Sequence, residues 1–370
     1  MQHEGDRDPQ STSPADSQKN DHRSPSRRSF LHGLGVASAT VATAGSALAS
    51  KPATPATDVD IRRNLTYADR PEVGHGSHVP GELRLDLYLP QQRSPHPTPV
   101  IVYIHGGMWM FGAKDSGEYI FEHLARSGFA VASIEYRFIQ EAIFPAQIHD
   151  VNAAVRWLRA HADEYNLDPK HVATFGASAG GHLAALAGVT NEVDEFEGDG
   201  PHSGHASDVQ AAVSWFGLFA LHKMVETAPP ESDFPYEEPG SPESQLVGET
   251  IAENPEAGQY ASPITYLDSD DPPLLLYHGE DDGLVGYGQS ELMYDKAREV
   301  CHDTTFTLLE SIGHSSDDVF SALSGRPPAD ATVRTIHCRP AGRAPEERTK
   351  EGPVASLTDM ERFLRRNLQG

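Results

Sequence analysis

The chain has 370 residues, of which 38% are hydrophobic and 8% aromatic, a composition typical of a soluble globular protein with one large or two smaller domains. Its 54 acidic residues outnumber its 29 basic residues, which gives a formal net charge of −25 at pH 7. Such a surface repels nucleic acid and anionic lipid, so the composition argues against a nucleic-acid-binding or membrane-surface protein.

The N-terminal part of the chain has the features of an export signal. Residues 1–25 are rich in Ser, Pro, Asp, Gln and Asn without periodicity, a composition too polar to form a core. Residues 26–50 join the pair Arg27 and Arg28 to a weakly apolar stretch that ends in Ala-Leu-Ala. This order predicts a twin-arginine signal cleaved after Ala49, and therefore a periplasmic or extracellular protein.

The first predicted strand lies in residues 81–90, "GELRLDLYLP", where leucines alternate with polar residues. A period of two indicates a strand with one buried face. We therefore expect an antiparallel, half-exposed strand at the edge of a sheet.

The rest of the chain alternates between two patterns. Short apolar runs rich in β-branched and aromatic residues predict buried strands at residues 99–105, 129–136, 171–176, 209–217, 273–279 and 304–310. Apolar positions of helical period predict helices at residues 116–126, 146–162, 180–188, 290–300 and 354–368. This alternation predicts an α/β fold, with a mostly parallel central sheet and helices on both faces.

Three long segments interrupt the alternation, at residues 191–208, 226–258 and 324–352. Segments of this length in a compact domain are often functional lids or edges.

The only two cysteines are Cys301 and Cys338. In an oxidising compartment they could form a disulfide that stabilises the fold by about 3 to 4 kcal/mol, or they could remain buried free thiols. The sequence leaves both states open.

A serine at a tight corner carries the first chemical signal. In "TFGASAGGHLAAL", Ser178 stands between a predicted strand and a predicted helix, flanked by Gly176 and Gly180. A G-x-S-x-G turn of this kind projects the serine hydroxyl above the sheet, and the N–H of Ala179 at the helix start can stabilise negative charge. Serine alone is a weak nucleophile, so the role requires a base and an orienting acid.

Both partners occur after later strands. The loop "EDDGLVG" offers Glu280, Asp281 and Asp282 as the acid. His314 follows the next strand and can serve as the base. The chain order is therefore serine, acid, histidine, with each group at the carboxyl end of a predicted strand.

The motif "HGGMW" follows the first buried strand. The N–H groups of Gly106 and Gly107 can approach a substrate oxygen closely, and with Ala179 they would form an oxyanion hole. Met108 and Trp109 come next, and they could wall a substrate pocket or pack in the core.

Together these motifs resemble the α/β-hydrolase superfamily, and within it the esterase and lipase group with an H-G-G motif. This group includes hormone-sensitive-lipase-like carboxylesterases and bacterial feruloyl or acetyl esterase-like proteins. The similar segments include "VIVYIHGGMWMFGAKDS", "HVATFGASAGGHLAAL", "PPLLLYHGEDDGLV" and "LLESIGH". The resemblance implies an α/β-hydrolase catalytic domain over residues 81–370, preceded by an extension over residues 50–80 and the signal over residues 1–49.

The resemblance also implies roles at particular positions. Ser178 corresponds to the nucleophile and His314 to the base. The acid of the family lies four residues after the histidine of a strand-end H-G pair, here His278, which selects Asp282 over Asp281.

The oxyanion glycines of the family correspond to Gly106 and Gly107, but the sequence departs from the pattern in two places. Many relatives have a third glycine where this chain has Met108. Residues 324–352 have no counterpart in the family pattern.

Two histidine pairs, His75 with His78 and His202 with His205, have a spacing that could bind a metal. No third ligand is placed near either pair, so we interpret them as solvated loop residues. Neither a metal nor an organic cofactor is expected.

The sequence therefore predicts a serine hydrolase that cleaves short-chain, aryl or acetyl esters, small or carbohydrate-linked, through an acyl-enzyme. One alternative is an arylformamidase-like amidase, which shares the H-G-G-x-W pattern but belongs to intracellular tryptophan breakdown. Another is a non-catalytic binding protein on the same scaffold, which would lack a triad member.

Overall fold

One sheet runs through the part of the chain that the computed structural model describes, residues 59–76, 78–91, 95–191, 193–325, 327–338 and 345–369. Its strands are β1 (Val59–Asp69), β2 (Glu82–Pro90), β3 (Thr98–Ile104), β4 (Ala130–Ile134), β5 (Leu167–Ala177), β6 (Ala211–Trp215), β7 (Leu274–Gly279), β8 (Thr304–Leu309), β9 (Ala329–His337) and β10 (Glu346–Ala355). They lie side by side in the order β1-β2-β4-β3-β5-β6-β7-β8-β9-β10. The predicted export signal lies outside the described residues.

The centre of the sheet is parallel. Every neighbouring pair in the series β4-β3-β5-β6-β7-β8 is parallel. Strands β3, β4, β6 and β7 are buried along their whole length, as apolar runs on both faces predict. The six predicted buried strands are confirmed, with ends that differ by no more than four residues.

Helices cover both faces of this sheet. Their bounds are α1 (Glu118–Arg126), α2 (Ala146–Ala160), α3 (Ala162–Tyr165), α4 (Ala179–Gly188), α5 (Asp194–Glu197), α6 (Pro242–Val247), α7 (Pro255–Tyr260), α8 (Gly288–Val300), α9 (Ser316–Ser324) and α10 (Leu357–Leu368). The apolar sides of α1, α9 and α10 pack with one set of strand side chains, and those of α2, α4 and α8 pack with the alternate set. None of the helices in the described part of the chain has both the length and the apolar character that a membrane crossing requires.

The strand predicted for residues 81–90 forms as β2, but the prediction of a half-exposed edge strand is wrong. β1 pairs with its outer side and β4 with its inner side, both antiparallel. The polar Asp86 is buried with the leucines because Arg63 and Lys114 each approach its carboxylate to 3.1 Å. A strand from the N-terminal extension therefore covers β2, and ion pairs make burial of its polar face tolerable.

The described part of residues 324–352, the segment without a family counterpart, extends the opposite edge of the sheet. β9 pairs antiparallel with β8, and β10 pairs antiparallel with β9. A disulfide between Cys301 and Cys338, whose Cα atoms are 5.5 Å apart, ties this hairpin to the end of α8. Of the two states that the sequence left open, the structure contains the bonded one.

The carboxyl ends of β3, β5, β7 and β8 lie at the same edge of the sheet. The loops after these four strands carry the H-G-G motif, Ser178, Asp282 and His314, respectively. In α/β sheets this edge is where ligands bind.

Candidate active site

Ser178 occupies a strained turn between β5 and α4. Its φ of 56° and ψ of −122° lie in a region that residues other than glycine rarely adopt. A Cβ atom at Gly180 would lie 2.0 Å from the carbonyl oxygen of Ile104, so the helix can begin this close to β3 only with glycine there. The N–H of Ser178 donates to the carbonyl oxygen of Trp215 at 2.9 Å, which fixes the corner.

His314 connects Ser178 to a carboxylate. Its Nε2 lies 2.9 Å from Oγ of Ser178, and its Nδ1 lies 2.7 Å from Oδ2 of Asp282. Glu280 and Asp281 are exposed, whereas Asp282 is buried. Of the three carboxylates that the loop offers, Asp282 is the one that reaches the imidazole.

The carboxylate of Asp282 is held from several sides. Its Oδ1 accepts hydrogen bonds from the N–H groups of Leu284 at 2.9 Å and Val285 at 2.8 Å. Burial alone would raise the pKa of Asp282, but hydrogen bonds from His278 and His314 outweigh burial and hold that pKa well below its usual range. Asp282 is therefore ionised and able to orient the imidazole.

His278 is a second imidazole at Asp282, a contact that sequence reasoning missed. Its Nε2 lies 3.3 Å from Oδ2 of Asp282 and 2.8 Å from the carbonyl oxygen of Val285. A carbonyl oxygen only accepts, so Nε2 carries a proton and donates to Val285, while Nδ1 lies 2.8 Å from the hydroxyl oxygen of Ser290. The sequence used His278 only to locate the acid, although its four-residue spacing from Asp282 was a signal for contact.

The H-G-G turn lies against the serine. A Cβ atom at Gly106 would be 3.2 Å from Cβ of Ser178. Gly107 has a φ of 118°, and its carbonyl accepts from the N–H groups of Met110 at 2.9 Å and Phe111 at 3.1 Å. In the described part of the chain, the N–H groups of Gly106 and Gly107 donate to no backbone carbonyl. Both are available to a substrate oxygen.

His105 holds the H-G-G turn in place, and Ala179 provides a further N–H group beside Ser178. The buried Nδ1 of His105 lies 2.7 Å from the carbonyl oxygen of Gly106, and Tyr136 donates its hydroxyl hydrogen to the carbonyl of His105 at 3.0 Å. Burial lowers the pKa of His105 to about 4, so the neutral ring donates through Nδ1 and holds the turn. Ala179 is the first residue of α4, so its N–H has no partner within the helix.

Two cavities meet at Ser178. The larger is an open cleft of about 590 Å³ that Ser178, His314 and Phe216 border on the catalytic side. Phe111, 54% exposed, lies on its rim, and Tyr119 donates a hydrogen bond to Asp317 across its wall.

The smaller cavity has a volume of about 20 Å³. It is bordered by Ser178, Ala179 and Trp109, and by a mainly apolar set of residues that includes Leu218, Met224, Phe234, Tyr236, Glu243 and Val285. Met108 borders both cavities, and Trp109 is 1% exposed. Of the two roles left open for Met108 and Trp109, the structure therefore supports pocket walls, and Trp109 is also core.

Sequence reasoning missed most of this smaller cavity. Tyr236 and Glu243 belong to residues 226–258, which have no period in sequence but contain α6 and the start of α7. Tyr236 donates its hydroxyl hydrogen to the carbonyl of Leu284 at 2.6 Å, which joins this segment to the loop that carries Asp282. No local sequence signal indicates such a contact, because packing between distant segments creates it.

One interpretation of the histidine pairs is wrong. His202, His205 and His75 are exposed, but the side chain of His78 is fully buried, with Nδ1 3.1 Å from both carboxylate oxygens of Glu141. His78 is buried and not solvated because its imidazole pairs with the buried carboxylate of Glu141. Among the described residues, no group of three His, Cys, Asp or Glu side chains is arranged to hold a metal ion.

The arrangement has the parts that acyl transfer requires: a serine hydroxyl, a base within hydrogen-bond reach, an oriented carboxylate and backbone donors beside the serine.

The chain is also similar to known esterases. A family model named BD-FAE matches residues 85–297, more than half of the chain. Esterase LipC of Mycobacterium tuberculosis is 31% identical over 269 residues, which are 71% of this chain and 64% of LipC. The probable carboxylic ester hydrolase LipM of the same organism is 32% identical, over 62% of this chain and 50% of LipM. The chain thus spans about half to two thirds of the length of these curated relatives.

Solved structures share the fold. A truncated carbohydrate esterase from gut microbiota is 33% identical, with a TM-score of 0.61, over 70% of this chain and 91% of that chain. An esterase of Thermogutta terrifontis with propionate bound is 22% identical, with a TM-score of 0.54, over 70% of this chain and 86% of that chain. The second likeness is one of fold alone.

Proposed function

The chain belongs to the BD-FAE family of α/β-hydrolase esterases, and from this premise we propose that it is a serine carboxylesterase. The observation that carries the proposal is the continuous hydrogen-bonded chain from Ser178 through His314 to Asp282. Each link is short enough for proton transfer or orientation.

In the proposed mechanism, Ser178 attacks the ester carbonyl while His314 takes the hydroxyl proton at Nε2. Asp282 keeps the imidazole in the tautomer that presents Nε2 as the base and stabilises the imidazolium. His314 then returns the proton to the leaving alcohol, which leaves an acyl group on Ser178. Water, activated by the same histidine, hydrolyses this acyl-enzyme.

The tetrahedral intermediates carry a negative oxygen. We assign its stabilisation to the N–H groups of Gly106, Gly107 and Ala179, residues that border the cavities at Ser178. No cofactor takes part in the proposed steps.

We propose short-chain, aryl or carbohydrate-linked esters as substrates. The open cleft of about 590 Å³ leaves room for a large alcohol group, and one similar structure is that of a carbohydrate esterase. Which of these esters is preferred depends on the sizes of the two cavities at Ser178.

Labelling with a fluorophosphonate probe and hydrolysis of p-nitrophenyl acetate test the proposal. Wild type is expected to be labelled and active, and Ser178→Ala to lose both properties. Asp282→Asn should lower kcat by about 10⁴-fold, the loss seen when a serine protease loses the correct imidazole tautomer. Asp281→Asn, its exposed neighbour, is the matched control and should leave kcat unchanged.

Different outcomes separate the alternatives. Absence of labelling in wild type would favour a binding protein on this scaffold. Faster turnover of N-formylkynurenine than of aryl acetate and feruloyl esters would favour an arylformamidase.

We also propose export through the twin-arginine route, which rests on Arg27, Arg28 and the stretch that follows. Replacing both arginines with lysine in a bacterial host should retain the protein in the cytoplasm. Export of the lysine variant at the wild-type level would contradict this part of the proposal.

A further inference from the structure

The two cavities at Ser178 differ in one feature that matters for ester cleavage. The large cleft borders both Ser178 and His314, whereas the small cavity borders Ser178 and Ala179 but not His314. On the proposed function, His314 must hand its proton to the oxygen of the leaving alcohol. The alcohol must therefore lie in the large cleft.

The remaining substituent of the ester carbon is the acyl chain. In the proposed mechanism, the carbonyl oxygen points toward the N–H groups of Gly106, Gly107 and Ala179. The leaving alcohol lies next to His314. The space left for the acyl chain beside Ser178 is the small cavity.

We propose that this small cavity is the acyl pocket and that its walls restrict the enzyme to esters of two-carbon acids, with Leu218 and Met224 as specificity-determining residues. The proposal rests on the serine esterase function above and adds the acyl group that it prefers.

The volume of the small cavity limits the length of the acyl chain. The small cavity, at about 20 Å³, is far smaller than the cleft of about 590 Å³, so it has room for a short acyl group such as acetyl and becomes crowded as the chain lengthens. A butanoyl chain has two further methylenes, and each methylene that a packed pocket must reject lowers the rate by about 10-fold or more.

The walls have little freedom to yield. Leu218 is 5% exposed and Met224 is 2% exposed, and both belong to the large core cluster of the fold. Trp109 packs edge-on against His182, with ring centroids 5.2 Å apart. In such a close-packed surrounding, extra volume displaces side chains that already fill their space.

The far wall comes from the segment over residues 226–258. Glu243 accepts a hydrogen bond from the N–H of Glu237 at 2.6 Å, and Ser241 caps α6 by accepting from the N–H of Ser244 at 3.2 Å. The bond from Tyr236 to Leu284 anchors the same segment to the acid loop. The segment thus closes the pocket as a fixed wall.

The test compares p-nitrophenyl acetate with p-nitrophenyl butyrate, which share one alcohol and differ only in the acyl chain. Each kcat/KM is divided by the rate of spontaneous hydrolysis of the same ester. We expect wild type to favour acetate by about 100-fold or more, about 10-fold for each of the two methylenes. Leu218→Ala should lower this preference at least about fivefold, because it opens the pocket by three carbon atoms.

Leu221→Ala is the matched control. Leu221 is fully buried three residues further along but does not border the pocket, so its variant should keep the wild-type preference. A ratio measured on one preparation does not depend on the fraction of folded enzyme. If Leu218→Ala does not fold, Met224→Ala tests the same wall and should lower the preference in the same direction.

Several results would overturn the inference while leaving the esterase function intact. Equal rates on acetate and butyrate in wild type would do so, as would an unchanged preference in the wall variants or an equal change in Leu221→Ala. Faster cleavage of methyl butyrate than of phenyl acetate would show that the acyl chain occupies the large cleft instead. Absence of hydrolysis of every ester would instead overturn the proposed function, and this inference with it.

Discussion

Glu243 is a carboxyl group in a mainly apolar cavity. Burial raises its pKa above the ordinary value of 4.5, although hydrogen bonds, among them the one from the N–H of Glu237, act in the opposite direction. A raised pKa means that the folded chain holds this proton more tightly than the unfolded chain. Between 4.5 and the folded pKa the folded state binds more protons, so the contribution of Glu243 to stability falls as pH rises through that window.

Glu243→Gln should therefore melt at a higher temperature than wild type at pH 8, because the amide keeps an acceptor for Glu237 and carries no charge. The advantage should shrink as the pH is lowered toward 4.5, where wild type is protonated. Thermal unfolding followed by circular dichroism at a series of pH values measures the difference. Glu238→Gln, an exposed position in the same segment, is the control, and an equal gain from it would argue against burial as the cause.

Among single residues, the sequence predicted the site residues that lie in local motifs. It did not predict the residues that contacts between distant segments place at the site. Ser178 and His314 follow strands in recognisable turns, and the structure brings them together as expected. Glu243 lies in a segment without periodicity, and His78 leaves solvent only because Glu141 lies beside it. Tertiary contacts between distant segments decide both cases.

At the scale of elements, the buried strands and five of the described helices, α1, α2, α4, α8 and α10, followed from apolar periodicity, whereas the edges of the sheet did not. β1 and β10 contain many polar residues, and β10 includes Gly352 and Pro353. An edge strand needs only one partner and exposes much of its surface, so its sequence carries no continuous apolar run. This is also why β2 was expected at the edge that β1 in fact occupies.

The hairpin of β9 and β10 offers a test at this scale. The double variant Cys301→Ser, Cys338→Ser should lower the free energy of unfolding by about 3 to 4 kcal/mol, because the bond closes a loop of 37 residues in the unfolded chain. Urea denaturation without reductant measures the loss. The kcat/KM of the double variant at 25 °C should equal that of wild type, because no described hairpin residue borders either cavity at Ser178.

Reductant provides the control for the disulfide. It should shift the urea midpoint of wild type toward that of the double variant and leave the variant unchanged. Coincident midpoints of the oxidised wild type and the variant would contradict a stabilising role for the bond.

At the scale of the whole molecule, the net charge of −25 affects which substrates approach. The cleft itself borders Asp317. Salt screens such a field, since the Debye length falls from about 30 Å at 0.01 M to about 3 Å at 1 M ionic strength. The repulsion should therefore act on anionic esters at low salt and disappear at high salt.

We expect kcat/KM for the anionic ester 4-acetoxybenzoate to rise about two- to fivefold between low and high sodium chloride. Phenyl acetate, which is neutral and has the same acyl group, should show no such rise. Steady-state rates of both esters across the salt series measure the effect. A parallel response of the two esters would mean that salt acts on the enzyme and not on the encounter.

The unequal cavities beside Ser178 also determine how a polymeric substrate could be handled. A group that projects from a long backbone needs to insert only its tip into the narrow side, while the backbone rests in the open cleft. No chain end has to be threaded, so every such group along the backbone is a potential target. With the proposed acyl pocket, an enzyme of this shape would remove side groups from a polymer and leave the length distribution of the polymer intact.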